Sequence, residues 1–356
     1  MKRLMNRLTY TQDELLADPP FASRIERDGR LLHGGYDAHG NYLSPRSAHR
    51  VDAIAAWTKR LADAGHPTQV ITPDQVGYGF VPNTDQAKLL LRNGATGAMA
   101  RILTLIGLVE GFGNDGIKLI PPMDLSDFVV EPLDETCLGH LTAGLLEAHG
   151  ADEAGRGDEH GHDYMWFAVR DAALSHPEIT PDMFENIPVT PPPGYSGPAK
   201  AAPEAMSVGS MLEGLRDDVA PEFQLLIRAM AQILVIELLA YHTFAWASEV
   251  LGDATCSADP DFARDTVDHI RQDEDIHVGY LQCALAELAV RTVKTLDGGT
   301  IAGRELVDDA TETLLATQTG DKFDRLIEFR LEQIRDELAQ LDDSERLLAE
   351  FEMMAT

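Results

Sequence analysis

Glu237 is the residue whose position in the sequence most strongly suggests chemistry. It lies within residues 229–247, where most side chains are apolar, so the segment reads as a helix buried on all sides. An unpaired carboxylate there would cost several kcal/mol, so Glu237 needs a cation beside it or a proton held by a raised pKa. A Glu–Arg pair or a protonated glutamic acid would meet that need without any function.

A Glu-x-x-His pair at Glu274 and His277 adds a second chemical group to this picture. Residues three apart on a helix lie on one face, one turn apart, so this carboxylate and imidazole can bind the same metal ion. Glu237 and Glu274 are about equally far from a turn expected near residues 254–257. In an antiparallel helical hairpin they face each other, and the sequence predicts a metal site between the two helices.

Residues 273–277 read Asp-Glu-x-x-His, and the same pattern occurs earlier in the chain, where it contains Glu159 and His162. The apolar helices that precede the two motifs also resemble each other. Residues 98–103 read Ala-Met-Ala-Arg-Ile-Leu, and residues 229–234 read Ala-Met-Ala-Gln-Ile-Leu. This similarity suggests an internal repeat of helix pairs, with chance similarity of apolar sequence as the alternative.

The surrounding sequence is typical of a helical protein, because helical spacing of apolar residues recurs and no alternation typical of a parallel sheet is found. The predicted helices are 47–65, 84–110, 134–149, 158–175, 221–251, 261–293, 303–317 and 321–351. Residues 1–90 are expected to form an irregular arm with one helix, and residues 91–295 a helical bundle interrupted by the Pro-rich segment 188–203. Residues 296–356 would add a C-terminal helical pair, so the predicted fold class is all-α.

Composition narrows the possible partners. The 356 residues include 29 Lys+Arg and 59 Asp+Glu, which gives a formal net charge of −30. Such an acidic surface repels phosphate backbones and anionic lipids, so neither nucleic-acid nor membrane binding is expected. The three cysteines lie far apart and are odd in number, which disfavours a disulfide framework. No apolar segment follows the basic start, so we expect a cytoplasmic protein.

The paired motifs resemble those of the ferritin-like di-metal carboxylate superfamily, over about residues 95–295. Proteins of that superfamily are four-helix bundles in which two helices each supply one Glu and the other two each supply a Glu-x-x-His pair. The resemblance implies the following metal ligands in this chain: Glu159, His162, Glu237, Glu274 and His277. For the remaining carboxylate we favour Glu110, which ends an apolar helix, and Glu147, which lies shortly before the first pair, is the alternative.

Other residues lie close to the proposed ligands in the sequence. Tyr241, His269 and Asp273 are candidates for contacts with those ligands, although core or solvated positions would look the same. His149 and His160 flank the Gly-rich stretch and would be either an additional nitrogen ligand or solvated loop histidines. The sequence assigns no catalytic residue beyond the ligands.

Four carboxylates and two imidazoles suit a pair of iron ions, or of manganese ions, better than copper(I) or structural zinc. The resemblance implies reaction with O₂, and the additional segments favour an oxidase or oxygenase that acts on a small organic substrate with an electron donor. A non-catalytic metal-binding or storage bundle and a metal-free helical interaction protein are the alternatives. A homodimer through the C-terminal helices is a further expectation.

Overall fold

The computed structural model describes residues 7–76, 82–118, 120, 123–180, 214–318 and 321–355. The structure is 61% helical and 8% strand, which confirms the all-α class. The Pro-rich segment at 188–203 lies outside the described residues.

The bounds of the elements follow the chain from the N-terminus. The α-helices are α1 Gln12–Leu15, α2 Arg50–Asp63, α3 Thr84–Arg92, α4 Thr96–Lys118, α5 Cys137–His140, α6 Leu146–Ala154, α7 His162–Ala173, α8 Pro221–Leu251, α9 Pro260–Ala289, α10 Gly303–Gln318, α11 Asp321–Leu338 and α12 Ser344–Met353. The strands are β1 Ser23–Arg27, β2 Arg30–Tyr36, β3 Tyr42–Leu43, β4 Glu159–His160, β5 Thr292–Lys294 and β6 Thr300–Ala302.

Helices α8 and α9 form the long antiparallel hairpin that the sequence predicts. Pro221 and Pro260 stand in the first turns, where a missing amide costs no hydrogen bond. The side chain of Asp259 caps α9 by accepting the backbone N–H of Phe262. The predicted bounds of α8 are confirmed, whereas α9 ends at Ala289 because the chain then enters the β5–β6 hairpin.

Helix α4 continues through Gly111 to Lys118, although this glycine predicts a stop near residue 110. Tertiary packing can outweigh the low helix propensity of glycine. At Gly107, one turn earlier, a Cβ atom would lie 2.6 Å from the ring of Phe167 on α7. The absence of a side chain at Gly107 therefore lets α4 lie close against α7.

The segment predicted as two helices, 134–149 and 158–175, is organised differently. Helix α5 is followed by a π-helical turn at Leu141–Leu145, and α6 then continues to Ala154 before Gly155, whose φ of 82° ends the helix. Residues 159 and 160 form β4, which pairs in parallel with β2, so α7 begins only at His162. The prediction of a continuous helix from 158 was therefore wrong.

The N-terminal region is more ordered than the predicted irregular arm. Strand β2 pairs in antiparallel order with β1 and, at Gly35 and Tyr36, with β3, and β4 pairs in parallel with β2 at Leu31 and Leu32. Gly34 has a φ of +84°, and a Cβ there would meet the ring of Tyr42, so this glycine makes room for the tyrosine. The sheet and α2 together cover one side of the helical bundle.

The predicted C-terminal helix 321–351 is two helices, because the chain turns at Asp343, whose φ is 60°. These helices pack onto the bundle. The carboxylate of Glu337 on α11 accepts the backbone N–H groups of Gly97 and Ala98, at distances of 2.7 and 2.6 Å, and so caps the first turn of α4.

The apolar core consists of two clusters that follow each other along α8 and α9. One contains buried apolar residues within 223–238 and 276–289, and the other contains those within 244–251 and 263–270. A layer of buried carboxylates and imidazoles lies where the two clusters meet. This layer is the candidate functional site.

Among the described residues, one helix, Pro221–Leu251, is long and apolar enough to cross a membrane. About two thirds of its most apolar stretch, 67%, is buried inside the fold. This burial is compatible with the central helix of a soluble protein.

Candidate metal centre

The polar layer holds carboxylates and imidazoles from every helix of the bundle, and all of them are buried. They come from α4, from α6 and the first residue of α7, from α8 and from α9. The side chains are Glu110, His149, Glu153, His162, Glu237, Glu274 and His277.

Glu153 and Glu274 lie at the middle of this arrangement, each between two imidazoles. Nδ1 of His277 is 2.7 Å from Oε2 of Glu274 and 3.2 Å from Oε1 of Glu153. Nδ1 of His162 is 3.0 Å from Oε1 of Glu274 and 3.3 Å from Oε1 of Glu153. Glu153 and Glu274 would therefore hold two metal ions together with these two imidazoles.

Glu237 and His149 extend the arrangement on one side. Nε2 of His149 is 3.2 Å from Oε1 of Glu237 and 3.5 Å from Oε1 of Glu153, and Nδ1 of His277 is 3.9 Å from Oε1 of Glu237. Two overlapping groups of four residues result, each with ligand atoms within 4.8 Å of one another. We call them the α8-side group (His149, Glu153, Glu237 and His277) and the α7-side group (Glu153, His162, Glu274 and His277).

Glu110 lies beside these two groups. Its Oε1 accepts the indole N–H of Trp166 at 3.2 Å, and its carboxyl group contacts Glu153.

The donor atoms fit a cation because several form no hydrogen bond although they lie 3.0 to 3.5 Å from another donor atom of the centre. Among the described residues, these buried atoms make no hydrogen bond: His149 Nε2, Glu153 Oε1, Glu153 Oε2, His162 Nδ1 and Glu274 Oε1. Buried polar atoms without partners are rare and costly in folded proteins. Metal ions would satisfy all of them at once, and a set of carboxylates and imidazoles without thiolates suits iron or manganese.

The carboxylates of the centre divide into two classes in the metal-free protein. Burial raises the pKa of Glu110 and Glu237 well above the ordinary value, and the charges of Glu153 and Glu274 raise it further. Burial also opposes ionisation of Glu153 and Glu274, but the neighbouring imidazoles outweigh it and lower both pKa values. Glu153 and Glu274 therefore ionise more readily than an ordinary glutamic acid, and Glu110 and Glu237 less readily.

The imidazoles divide in the same way. Burial opposes protonation of His162 and His277, but the adjacent carboxylates outweigh it and raise both pKa values well above the ordinary value. Burial and the charge of His277 lower the pKa of His149 to about 3. The surroundings of His162 and His277 in the metal-free protein therefore favour the charged imidazolium form of both side chains.

Aspartates fix the outer nitrogens of the two imidazoles, and they do so across the bundle. Nε2 of His277 on α9 donates to Asp152 on α6 at 3.0 Å, and Nε2 of His162 on α7 donates to Asp273 on α9 at 3.2 Å. Such bonds hold the tautomer and orientation of a ligand imidazole. Both Nδ1 atoms consequently point to the centre. Nδ1 of His149 is 2.8 Å from the hydroxyl oxygen of Tyr280.

Of the predicted ligands, the structure brings together Glu237, Glu274, His277 and His162, and it places Glu110 next to them. Glu159 lies outside both metal groups.

On β4, Glu159 pairs with Arg24 and, at 3.1 Å, with Arg46. Burial is outweighed there by His33 and the arginines, which lower the pKa of Glu159 to about 2. Glu147, the alternative carboxylate, is exposed on α6 and accepts a hydrogen bond from Gln12.

Three further candidates have different surroundings. Asp273 accepts the N–H of the His162 imidazole, as described above. His269 stacks on the ring of Tyr42, with centroids 4.1 Å apart, and Tyr241 donates its hydroxyl hydrogen to Asp275 at 2.7 Å. His160 packs against Tyr164 and lies outside both metal groups.

Glu153 and Asp152 are the residues that sequence reasoning missed, and His149 is a third whose role it left open. Two signals could have found them. Asp152-Glu153 repeats the dipeptide Asp273-Glu274, and His149 precedes Glu153 by one helical turn, as a pair on one face must. The glycines at 150 and 155 obscured both signals by suggesting a loop.

Comparison with known proteins finds no matching family model, no matching curated protein and no matching solved structure. The assignment of the centre therefore rests on the burial, distances and unpaired atoms of this chain. Likewise, the resemblance to the ferritin-like superfamily rests on the motifs.

Proposed function

We propose that the protein holds two metal ions at this centre, iron most readily and manganese as the alternative, and oxidises a small organic substrate with O₂. The two overlapping groups of buried ligands, which share Glu153 and His277, carry the proposal. One group alone would suit a single ion. A carboxylate shared between two groups, here Glu153, suits a pair of adjacent ions.

The ligand distribution supports the ferritin-like resemblance. Helices α4 and α8 each contribute one carboxylate, and the α6–α7 segment and α9 each contribute a carboxylate with an imidazole. This is the distribution of di-iron carboxylate bundles, with Glu153 in the place where the motif had suggested Glu159. His149 is an additional nitrogen donor on the α8 side.

An iron pair bound here would supply the electrons for reducing O₂, and an external donor would restore them. The residues of the chain provide the surroundings for this chemistry. The indole N–H of Trp166 fixes Glu110, and Asp152 and Asp273 fix the two imidazoles. The apolar clusters on both sides keep bulk water away from the site, which strengthens every electrostatic interaction inside it.

Metal analysis of the purified protein tests the proposal directly. Protein isolated without chelators or nickel resins, from cells supplied with iron and manganese, should contain two ions per chain. Glu274→Gln should lose them, because the substitution removes the charge of a carboxylate that lies between His162 and His277. Glu287→Gln is the matched control, since Glu287 is also buried on α9 but accepts backbone N–H groups of α5.

Oxygen uptake by the loaded protein, with a chemical reductant and a panel of small organic compounds, then separates catalysis from storage. Substrate-dependent uptake that Glu274→Gln abolishes is the expected result. Metal without uptake would indicate a storage or binding bundle. A folded protein without metal in any preparation would refute the proposal and leave the helical interaction protein.

A further inference from the structure

Side chains from outside the bundle reach the back of the metal centre. They come from β2, from β3, and from the loop and first residue that begin α2, and they contact Asp152 and Asp273. These side chains are His33, Tyr42, Arg46 and Arg50. His33, Arg46 and Arg50 are almost completely buried, with exposed fractions of 0%, 2% and 0%.

Two guanidinium groups hold Asp152. Nε of Arg46 donates to Oδ1 at 2.7 Å, and Nη2 of Arg50 donates to Oδ2 at 2.6 Å. Oδ2 also accepts the N–H of His277 at 3.0 Å. Both oxygens of Asp152 are thus fixed by charged donors, so the carboxylate cannot rotate without breaking an ion pair.

Asp273 has a different environment. Its Oδ2 accepts the hydroxyl hydrogen of Tyr42 at 2.7 Å and lies 3.2 Å from nitrogens of both His33 and His162. Within the described part of the chain, no arginine or lysine forms an ion pair with Asp273, and its Oδ1 accepts no hydrogen bond. One hydroxyl group and imidazoles orient this carboxylate.

We propose that the N-terminal region makes the two metal positions unequal, with Arg46 and Arg50 as positioning residues that fix the Asp152–His277 pair. The inference rests on the proposed di-metal function. His277 is held by a doubly anchored carboxylate, whereas His162 is held by one that a neutral hydroxyl group orients. Removal of an arginine should therefore disturb the α8-side ion more than the α7-side ion, and removal of the Tyr42 hydroxyl should do the reverse.

A third group of potential ligands lies behind the centre, next to the side chains from the N-terminal region. It consists of His33, His162 and Asp273. Nη2 of Arg46 lies 3.1 Å from Nδ1 of His33, and Tyr42 already donates to the shared Asp273 oxygen. A guanidinium this close repels a further cation. The group therefore orients His162 and does not bind a third ion.

Titration of the metal-free protein with Co²⁺, followed by visible absorption and calorimetry, tests the inference without any turnover. The wild type should bind two ions in two steps of unequal affinity and different spectra. His149→Ala identifies the α8-side step, because His149 belongs to that group alone. Arg50→Met should weaken this same step more than the other step, by no more than the about 10- to 100-fold expected for losing Asp152 itself, the direct partner of His277.

Two conservative variants and one control complete the experiment. Arg50→Lys should restore part of the affinity, because an ammonium group can pair with Asp152 without the planar fork. Tyr42→Phe should weaken only the α7-side step. Arg24→Met is the control, since Arg24 pairs with Glu159 and contacts neither aspartate.

Each result separates the inference from the proposed function. Equal weakening of both steps by Arg50→Met and Tyr42→Phe, or no change in either, would overturn the inference while the di-metal centre stands. Binding of three ions would overturn the positioning role of the third group. A folded wild type that binds no Co²⁺ would overturn the di-metal function and the inference together. If Arg50→Met does not fold, Arg50→Lys and Tyr42→Phe still decide between these outcomes.

Discussion

The two halves of the bundle place equivalent ligands by different local structures. On α9, Glu274 and His277 lie one turn apart on an unbroken helix of 30 residues. In the other half, Glu153 stands near the end of α6 and His162 at the start of α7, with β4 between them. The comparison shows that ligand geometry can be kept while the local structure that produces it is replaced.

The half that β4 interrupts, α6 and α7, also contributes more to the centre than a carboxylate and one imidazole. Helix α6 presents His149 one turn before Glu153, so the α8-side group gains a second imidazole. The strand that interrupts this half pairs with β2 and brings the N-terminal region against the centre. A break in the helix thus links the centre to elements outside the bundle.

The largest expected effect comes from comparing substitutions of two carboxylates: Glu153, which lies in the centre, and Glu159, which the sequence motif had suggested. Glu153→Gln should lose both ions, because Glu153 belongs to both metal groups. Glu159→Gln should retain two ions, since Glu159 pairs with arginines on β4. Elemental analysis of the two variants measures this directly. Metal loss in Glu159→Gln with retention in Glu153→Gln would show that the Asp-Glu-x-x-His motif is the ligand pair after all.

His149→Ala should produce the next largest effect, because it removes a ligand from one group only. We expect the α8-side ion to bind at least about 100-fold more weakly and the α7-side ion to remain, because losing a ligand should cost no less than losing an outer contact of a ligand. Calorimetric titration with Fe²⁺ under anaerobic conditions measures both affinities. His160→Ala is the control, because His160 lies outside the centre. Equal loss of affinity for both ions would mean that the two metal positions do not bind independently.

A change of pH should alter metal binding in the two halves of the bundle in the same direction. The pKa values of His162 and His277 are both raised, as are those of Glu110 and Glu237, so metal binding must displace protons. Metal affinity should therefore rise with pH, by about tenfold per pH unit for each proton released. The stability that Glu110 and Glu237 contribute through their raised pKa values is present below 4.5, the ordinary value of Glu, and is lost as pH rises above it.

Calorimetry in two buffers of different ionisation enthalpy counts the displaced protons. Burial raises the pKa of Glu287, outside the centre, to about 7, so metal-free and loaded protein must be compared at the same pH. Binding without proton release would contradict the charge distribution described above.

The smallest expected effect concerns local stability. Helices α6 and α7 have 9 and 12 residues, whereas α8 and α9 have 31 and 30. Short helices depend on tertiary contacts, so metal removal should speed amide exchange several-fold more in residues 146–173 than in residues 221–289. Amide exchange measured by mass spectrometry, with and without metal, gives the acceleration in each of the two segments. Equal changes in the two segments would show that the break does not weaken its half.

The continuous half could be predicted from the sequence. Proline at the first turns, an apolar segment and a single buried Glu together define α8, and the Glu274–His277 spacing fixes one face of α9. These signals are local, and each depends on helix geometry alone.

The broken half could not be predicted in this way. Gly111 lies inside α4 because packing against α7 outweighs its low helix propensity, and Gly150 lies inside α6. The pairing of β4 with β2 joins residues more than a hundred positions apart, which no local pattern can reveal. The Asp-Glu-x-x-His motif at 158–162 predicted the right imidazole with the wrong local structure.

The crossed bonds between the halves have a consequence for how this sequence can change over generations. Asp152 serves His277 and Asp273 serves His162, so each helix pair carries the partner of the other's ligand. A substitution at 152 is then tolerated only together with one at 277, and the same holds for 273 and 162. In related chains these positions should vary as two linked pairs, even though neither pair is close in sequence. A chimaera that takes only one of the two helix pairs from a distant relative should therefore lose these bonds. A chimaera that takes both pairs should keep them.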